Sequence, residues 1–352
     1  MKKIKRYLIW IIMAGIMGTQ LDGYSYSNFF LRKGYKDGLP EIGAAAYDYG
    51  DTFISYMRSH MEKSAEGRAA LNMNDSQNNQ DRQLKQVDMM ISLGVRALIV
   101  NLVNPSEAQS VIDKAKDADL PVIFFNKEPE AQVLAGYKNA WYVGLVSEEA
   151  GVLQGQMIAN LWKNNESWDR NHDGVLSYVM LKGEPGHPDT EARTKYSIEE
   201  LKKEGIKVKE LASGSAMWDF VKARDMMDGW IAQCGEDIEF IISNNDEMAL
   251  GALQSLEKAG YLAGDKFIPT VGVDATPAAI EKIKQGQMAG SVLNNPKDQA
   301  IAVMDLSVNA AKGNYILQDT SWKMINKTIR IPFTAITKDN TDAAERAYSK
   351  IQ

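Results

Sequence analysis

The chain has 352 residues, of which 45% are hydrophobic and 24% are charged, and its formal net charge is −6. This composition is that of a folded globular protein and excludes a disordered or membrane-embedded chain. The length predicts two domains, and the negative charge argues against a nucleic-acid-binding surface.

The first residues have the composition of an export signal. Four of the first six are basic, residues 7–18 form a short apolar run, and residues 23–25 offer small side chains for cleavage. The run is shorter than the ~20 residues that a membrane-spanning helix needs, so residues 1–25 are predicted to be a cleavable signal peptide rather than an anchor. Cys234 is the only cysteine. No cysteine directly follows the apolar run to accept a lipid, so we expect retention in a periplasm and an inert thiol at Cys234.

Strand and helix patterns alternate from residue 42 onward. The first series has predicted strands at 42–47, 69–73, 95–102 and 122–125, with helices at 53–66, 80–93 and 106–117. The second has strands at 141–145, 176–181, 208–211, 238–242, 270–273 and 290–293, with helices at 150–162, 194–204, 221–233, 248–259 and 278–285. A helix at 296–311 and a strand at 329–336 follow. Because the strands are continuous apolar runs, we predict two doubly wound parallel α/β domains.

Polar and aromatic side chains follow the carboxyl ends of these strands, where ligands of open α/β sheets bind. Sugar hydroxyls both donate and accept hydrogen bonds, and the C–H faces of a sugar ring pack on aromatic rings such as Phe53 and Trp218. A single Asp or Asn there is as often a turn or cap residue, so we base the prediction on the coincidence across both domains. The candidates are Asp51, Phe53, Asn126, His187, Asp189, Arg193, Trp218, Asn245, Asp274 and Asn294.

Residues 169–177, D-R-N-H-D-G-V-L-S, match the first positions of an EF-hand calcium loop. The twelfth position is Met180 instead of the required glutamate, so calcium would need a carboxylate from elsewhere. The pattern leaves a calcium loop and a plain Asx turn equally open. The candidate ligands within the loop are Asp169, Asn171, Asp173, the carbonyl of Val175, and Ser177.

The chain resembles the type I periplasmic binding proteins, and among them the members that bind D-galactose or D-glucose. The resemblance covers residues 42–342. It implies two lobes, 41–145 plus 294–330 and 146–293 plus 331–352, joined by a three-segment hinge near 144–147, 293–296 and 330–332. The densest motifs are L-N-M-N-D-S-Q-N (71–78), F-F-N-K-E-P (124–129), L-K-G-E-P-G-H-P-D-T-E-A-R (181–193), A-M-W-D (216–219), N-N-D-E-M-A (244–249) and G-V-D-A (272–275).

The resemblance also implies roles for individual residues. Phe53 and Trp218 become the rings that stack on the sugar, Tyr47 lies near the entrance, and the other candidates become its hydrogen-bond partners. Glu239 matches the family's distant calcium ligand, while Ser177 stands where the family has glutamine, so that ligand would be weak or act through water. The implied protein is a monomer that holds a structural Ca²⁺, delivers D-galactose or D-glucose to the permease of an ABC importer, and has a chemoreceptor as a further candidate partner.

Three alternative functions are compatible with parts of the sequence. His187, Asp189 and Arg193 lie together in a strand-to-helix segment that could serve catalysis, and Asp51 with Asp274 could form a glycosidase carboxylate pair. The chain lacks a G-x-S-x-G elbow, a phosphate-binding glycine loop and zinc-ligand spacing, which argues against an enzyme. A repressor of this fold would need a helix-turn-helix before residue 42. A pentose or furanose ligand, and the preference between glucose and galactose, remain open.

Overall fold

The computed structural model describes residues 38–351, so the predicted signal peptide lies outside the described residues. Within the described range, no helix is long and apolar enough to cross a membrane. The compact unit that begins at Pro40 contains every strand and helix given below.

The first lobe is built on a seven-stranded sheet with the strand order β2-β1-β3-β4-β5-β12-β11. Its strands pair in parallel except for β11 and β12, which form an antiparallel edge. The strands are β1 (Glu41–Ala46), β2 (Ala70–Asp75), β3 (Ala97–Val100), β4 (Val122–Phe125), β5 (Ala140–Gly144), β11 (Met324–Ile325) and β12 (Thr328–Arg330).

Helices cover both faces of this sheet. One apolar core packs α1 and α10 against it, and a second core packs α2, α3 and α4 on the opposite face. These helices are α1 (Thr52–Ala65), α2 (Gln80–Ser92), α3 (Ala108–Asp117), α4 (Ala131–Ala135) and α10 (Pro296–Lys312). The buried strands are therefore apolar on both sides, as the continuous apolar runs predicted.

The second lobe is built on a six-stranded sheet with the order β7-β6-β8-β9-β10-β13, in which only β13 is antiparallel to its neighbour. Its strands are β6 (Val175–Lys182), β7 (Lys207–Ser215), β8 (Phe240–Ser243), β9 (Thr270–Asp274), β10 (Gly290–Leu293) and β13 (Thr334–Ile336). Two further cores cover its faces. The helices are α5 (Ser147–Lys163), α6 (Pro188–Lys203), α7 (Phe220–Cys234), α8 (Asp246–Ala259), α9 (Pro277–Lys284) and α11 (Thr341–Tyr348).

Helices α5 and α6 approach closely because two glycines of α5 face α6. A Cβ added at Gly151 would lie 3.0 Å from the carbonyl oxygen of Ala192, and one at Gly155 would lie 2.6 Å from that of Ser197. Only glycine permits this backbone contact. The contact fixes α6, whose first residues reach the carboxyl edge of the sheet.

The prediction of two doubly wound α/β lobes is confirmed, with the correction that each sheet ends in an antiparallel strand. The chain passes between the sheets at 145–146, 294–295 and 331–333, in or beside the three predicted hinge segments. The single strand predicted at 329–336 is wrong. Pro332 cannot donate to a sheet ladder, and the segment splits into β12 of the first sheet and β13 of the second.

Candidate functional site

The carboxyl ends of the strands of both lobes meet at one cavity. Ten of the eleven residues predicted to bind the ligand line it. They are Asp51, Phe53, Asn126, His187, Asp189, Arg193, Trp218, Asn245, Asp274 and Asn294. The sequence rule that polar residues gather beyond strand ends therefore brings together side chains that are more than 240 positions apart in the chain.

The eleventh residue, Tyr47, is not at the entrance as expected but is buried behind Asp51. Its hydroxyl donates to Asp51 Oδ2 at 2.5 Å, and the amide of Ile54 donates to Asp51 Oδ1 at 2.8 Å. Asp51 is the N-cap of α1. Burial raises the pKa of Asp51, while the Tyr47 hydroxyl and the Ile54 amide act to lower it. Tyr47 thus orients a carboxylate of the cavity without lining it.

In the second lobe, helix α6 begins at Pro188, six residues earlier than predicted. His187 is its N-cap, and the amide of Asp189 donates to His187 Nδ1 at 3.1 Å. Burial lowers the pKa of His187 to about 4. The imidazole is therefore neutral at physiological pH, and because Nδ1 accepts a hydrogen bond, Nε2 carries the proton and can donate to a ligand.

Asp189 and Arg193 lie one turn apart on α6 and form a buried ion pair. Arg193 Nη2 donates to Asp189 Oδ2 at 2.8 Å, and Arg193 Nη1 donates to the carbonyl oxygen of Asn244 at 2.9 Å. Ser147 donates to Asp189 Oδ1 at 2.5 Å. Burial opposes ionisation of Asp189, but the Arg193 guanidinium holds the pKa of this carboxyl below its usual value. The pair fixes a cation and an anion side by side at the cavity wall.

Trp218 lies three residues beyond the end of β7, which runs to Ser215 rather than to Leu211 as predicted. Its indole packs against Gly183, where an added Cβ would lie 2.1 Å from Trp218 Cζ2. The ring meets His187 edge to face at a centroid distance of 5.2 Å. In the described part of the chain, Trp218 Nε1 and Arg193 Nε are buried donors without a protein partner. Both belong to residues that line the cavity.

Further lining of the cavity comes from side chains at the carboxyl ends of β8, β9 and β10. Asn294 Nδ2 donates to Asp274 Oδ1 at 3.1 Å, and Gln299 donates to Asn294 Oδ1 at 2.7 Å, which fixes the orientation of the Asn294 amide. Asn245 caps α8 through the amide of Met248. Burial raises the pKa of Asp274 well above its usual value, against the opposing effect of the Arg193 guanidinium.

Two charged residues beside the cavity were present in the quoted motifs but received no role from the sequence. Lys127 is 2% exposed, and its Nζ donates to Glu184 Oε2 at 3.1 Å and to the carbonyl oxygen of Val103 at 3.0 Å. Asn78 also donates to Glu184, from the first lobe. A lysine two residues after an apolar strand was the signal, because such a cation is rarely buried without a partner.

The candidate calcium loop is a tight turn whose acidic side chains accept from its own amides. Asp169 accepts from the amides of Asp173 and Gly174 at 3.2 and 2.9 Å, and His172 and Gly174 have positive φ. No group of three or more His, Cys, Asp and Glu side chains within 38–351 is arranged to hold a metal ion by itself. The predicted calcium ligands also include the Asn171 amide, the Val175 carbonyl and the Ser177 hydroxyl. A group of His, Cys, Asp and Glu side chains is therefore only part of the predicted ligand set.

Glu239, the predicted distant ligand, accepts two hydrogen bonds from backbone amides of this segment. Its Oε1 accepts from the amide of Arg170 at 3.0 Å, and its Oε2 accepts from the amide of Ser177 at 2.9 Å. Burial raises the pKa of Glu239, and the charges of Asp169 and Asp173 raise it further. Two aspartates that repel the Glu239 carboxylate, together with further oxygen donors, are the type of ligand set that a hard cation such as Ca²⁺ prefers. Met180 is fully buried in the core and cannot be a ligand.

Comparisons with known proteins agree with this architecture. Residues 42–314 match the periplasmic binding protein domain family. The D-galactose/methyl-galactoside binding periplasmic protein MglB of Haemophilus influenzae is 46% identical over 302 residues, which cover 85% of this chain and 90% of that protein. A putative rhizopine-binding protein of Rhizobium meliloti is 30% identical, with coverage of 85% and 90%. An ABC transporter solute binding protein from Bacillus halodurans, crystallised with myo-inositol, has a TM-score of 0.75 and 27% identity, and covers 89% of this chain and 100% of its own.

Proposed function

The chain belongs to the periplasmic binding protein family, and from that premise we propose that it captures D-galactose or D-glucose between its lobes and delivers the sugar to an ABC importer. The observation that carries the proposal is the single cavity lined by ten side chains from both lobes. Acceptors, donors and two aromatic residues surround it, which is the set that a polyhydroxylated ring requires. No step of this function makes or breaks a covalent bond.

Closure of the lobes follows from the distribution of these contacts. Phe53 and Asp51 belong to the first lobe, and Trp218, Asp189 and Arg193 belong to the second. A sugar contacts both sets only when the lobes are closed, so its differential affinity favours the closed state. The closed form would then dock on the permease. A chemoreceptor is a second proposed partner, and a cleavable signal peptide at 1–25 is proposed to export the protein.

Isothermal titration calorimetry with D-galactose, D-glucose, methyl-galactoside, D-ribose, D-xylose and myo-inositol tests the ligand. We expect at least one hexose to bind with micromolar or tighter affinity, because the closed lobes would contact the sugar from both sides. Micromolar affinity corresponds to a binding free energy of about 8 kcal/mol. Binding of a pentose or of the inositol without hexose binding would overturn the sugar assignment. Chemical turnover of a galactoside by the purified protein would overturn the assignment of a transport role.

We further propose that residues 169–177 and Glu239 hold a structural Ca²⁺. The side chains of Asp169, Asn171, Asp173 and Glu239 would supply charge and oxygen ligands, together with the Val175 carbonyl, and Ser177 would contribute directly or through water. The ion would fasten the start of β6 to the residue that precedes β8. Support comes from the hydrogen bonds that Glu239 accepts from this turn and from the repulsion of its carboxylate by Asp169 and Asp173.

A further inference from the structure

The segment that supplies Asp274 to the cavity has an unfavourable backbone conformation. Asp274 has φ 112° and Ala275 has φ 52°, although neither is glycine. Two consecutive L-residues in this region are costly, and such geometry persists only where the surroundings enforce it. The segment 274–276 therefore needs partners that hold it.

Asp246 is one such partner. It is fully buried and does not line the cavity. Its Oδ2 accepts from the amide of Thr276 at 2.7 Å, and its Oδ1 accepts from the hydroxyl of Ser291 at 2.6 Å. That hydroxyl oxygen in turn accepts from the amide of Ala275 at 3.0 Å. One carboxylate thus holds two consecutive amides of the strained segment, one directly and one through Ser291.

A third hydrogen bond holds the same segment from the C-terminal helix. The hydroxyl of Tyr348 donates to the carbonyl oxygen of Asp274 at 2.9 Å. The Tyr348 ring also meets Tyr56 of the first lobe edge to face, at a centroid distance of 4.7 Å. Hydrogen bonds from the second lobe therefore hold the carbonyl of Asp274 and the two amides that follow it. Tyr348, which makes one of these bonds, also contacts Tyr56 of the first lobe.

Capping of helix α8 does not explain Asp246. Asn245 performs that role by accepting from the amide of Met248. Burial raises the pKa of Asp246 to about 7, which shows that its ionised form is unfavourable where it stands. A Cβ added at Gly272 would lie 2.2 Å from Asp246 Oδ1, so glycine in β9 makes room for this carboxylate. The fold therefore buries the Asp246 carboxyl although its ionised form is unfavourable there. Its hydrogen bonds reach residues 274–276, directly and through Ser291.

We propose that Asp246, together with Ser291 and Tyr348, is a positioning residue of the sugar site that fixes the backbone of 274–276 and so directs the Asp274 carboxylate at the ligand. The inference rests on the proposed function, because it takes Asp274 as a sugar contact. Asp246 itself touches no ligand.

A double-mutant cycle on the full chain tests it. Asp246→Asn keeps the shape but replaces one acceptor with a donor. If Oδ1 still accepts from the Thr276 amide, the new Nδ2 faces Ser291, whose hydroxyl must then accept from it as well as from the Ala275 amide and loses the acceptor for its own proton. We expect about a tenfold loss of hexose affinity by calorimetry in the wild-type background, and less than about a twofold loss in the Asp274→Asn background, since contacting residues are not additive. A purely structural role would give equal losses in both backgrounds.

Asp305→Asn is the matched control. Asp305 accepts from Trp322 Nε1 at 2.8 Å and from Arg68 at 2.5 Å in the first lobe, away from the cavity. We expect this variant to lower the melting temperature without changing hexose affinity. If Asp246→Asn does not fold, Tyr348→Phe, which removes only the hydroxyl, enters the same cycle with an expected loss of about threefold.

The outcomes separate the two proposals. A wild-type protein that binds no sugar of the panel overturns the proposed function, and this inference with it. A wild-type protein that binds a hexose, with Asp246 and Tyr348 variants that bind equally well or lose affinity equally in both Asp274 backgrounds, overturns the inference and leaves the proposed function standing.

Discussion

Side chains of the cavity are held by other protein groups rather than left to be ordered by the ligand. Gln299 fixes the amide of Asn294, Arg193 and Ser147 fix Asp189, and Tyr47 fixes Asp51. Ordering a free polar side chain costs about 0.5–1.5 kcal/mol on binding, so these bonds preserve affinity. The identities of the lining residues could be predicted from their positions after strands. Of the partners that fix them, Tyr47 and Arg193 were among the predicted residues, but Gln299 and Ser147 were not, because no sequence rule marks them.

The contact between Gly183 and Trp218 gives a prediction at this scale. In Gly183→Ala the new Cβ would meet three indole atoms at 2.1–2.4 Å, so the ring must move away from the cavity wall. We expect hexose affinity to fall about tenfold, with the folded state retained, as for Trp218→Ala. Calorimetry and thermal melting measure both effects. Gly229→Ala is the control, because no atom lies within 4 Å of its added Cβ, and unchanged affinity in Gly183→Ala would contradict the packing argument.

His187 gives a prediction of pH dependence. Its pKa is about 4 in the folded protein and about 6.5 when unfolded, so the unfolded state binds the additional proton first as pH falls. The stability contributed by neutral His187 is complete above pH 6.5 and is lost between pH 6.5 and about 4. Relative to His187→Asn, the wild-type protein should lose about 2 kcal/mol of unfolding free energy between pH 7.5 and 5.

Urea titrations of both proteins at the two pH values measure this difference. Asp246→Asn supplies the opposite sign as a control, because burial raises the pKa of Asp246 to about 7 and protonation on acidification relieves its cost. The wild-type protein should therefore gain stability relative to Asp246→Asn over the same range. A pH-independent difference between wild type and His187→Asn would show that His187 is not buried in its neutral form.

At the scale of elements, strand β6 joins the two candidate sites. Its carboxyl end leads to His187 and the start of α6, and its amino end leaves the loop 169–177. The sequence pattern predicts β6 to within one residue at each end. It predicts α6 six residues too late, because P-G-H-P is typical of a turn. Pro188 instead occupies the first turn of the helix, where its missing amide costs nothing. Helix α11 was not predicted at all, although its Tyr348 contacts Asp274.

Glu239→Gln tests the loop as a calcium site. Glutamine offers one acceptor for the amides of Arg170 and Ser177, where glutamate offers two, and it removes a charge from the ligand set. For the wild-type protein, Ca²⁺ at about 100 times its dissociation constant should add about 2.7 kcal/mol of stability. We expect Ca²⁺ to raise the wild-type melting temperature above its value in a chelator by about 5 °C, with little rise in the variant.

Scanning calorimetry with Ca²⁺ and with a chelator measures the melting temperatures of the wild-type protein and of Glu239→Gln. The matched control is Glu210→Gln, on the neighbouring strand β7, where Glu210 accepts from Tyr178 and Ser213 outside the loop. This control should keep the full calcium response. A wild-type protein that melts at the same temperature with Ca²⁺ and with chelator would reject the calcium proposal and favour the plain Asx turn.

At the scale of the whole molecule, the lobes contact each other through protein groups as well as across the cavity. Glu184 of the second lobe accepts from Lys127 and Asn78 of the first, and Thr52 donates to Glu247 at 3.0 Å. The Lys127 ammonium also lies 4.1 Å from the centroid of the Tyr47 ring. The sequence pattern predicted two α/β domains, and the family resemblance implied three hinge segments. Neither predicted these hydrogen-bonded pairs. Their members are more than 50 residues apart in the chain, so their proximity is apparent only from the three-dimensional arrangement of the lobes.

Glu184→Gln should therefore weaken sugar binding without altering any residue that lines the cavity. Burial lowers the pKa of Lys127, and the Glu184 carboxylate opposes that effect by stabilising the ammonium. Removing the carboxylate leaves a nearly buried cation in the closed state, whereas an open lobe would let water reach it. We expect at least a tenfold loss of hexose affinity, about 1.4 kcal/mol, and a larger radius of gyration at subsaturating sugar by small-angle scattering.

The control is Glu66→Gln. The exposed Lys63–Glu66 ion pair lies at the end of α1, so its loss should leave hexose affinity unchanged. Equal affinity in Glu184→Gln and wild type would mean that the ligand alone sets the closed state.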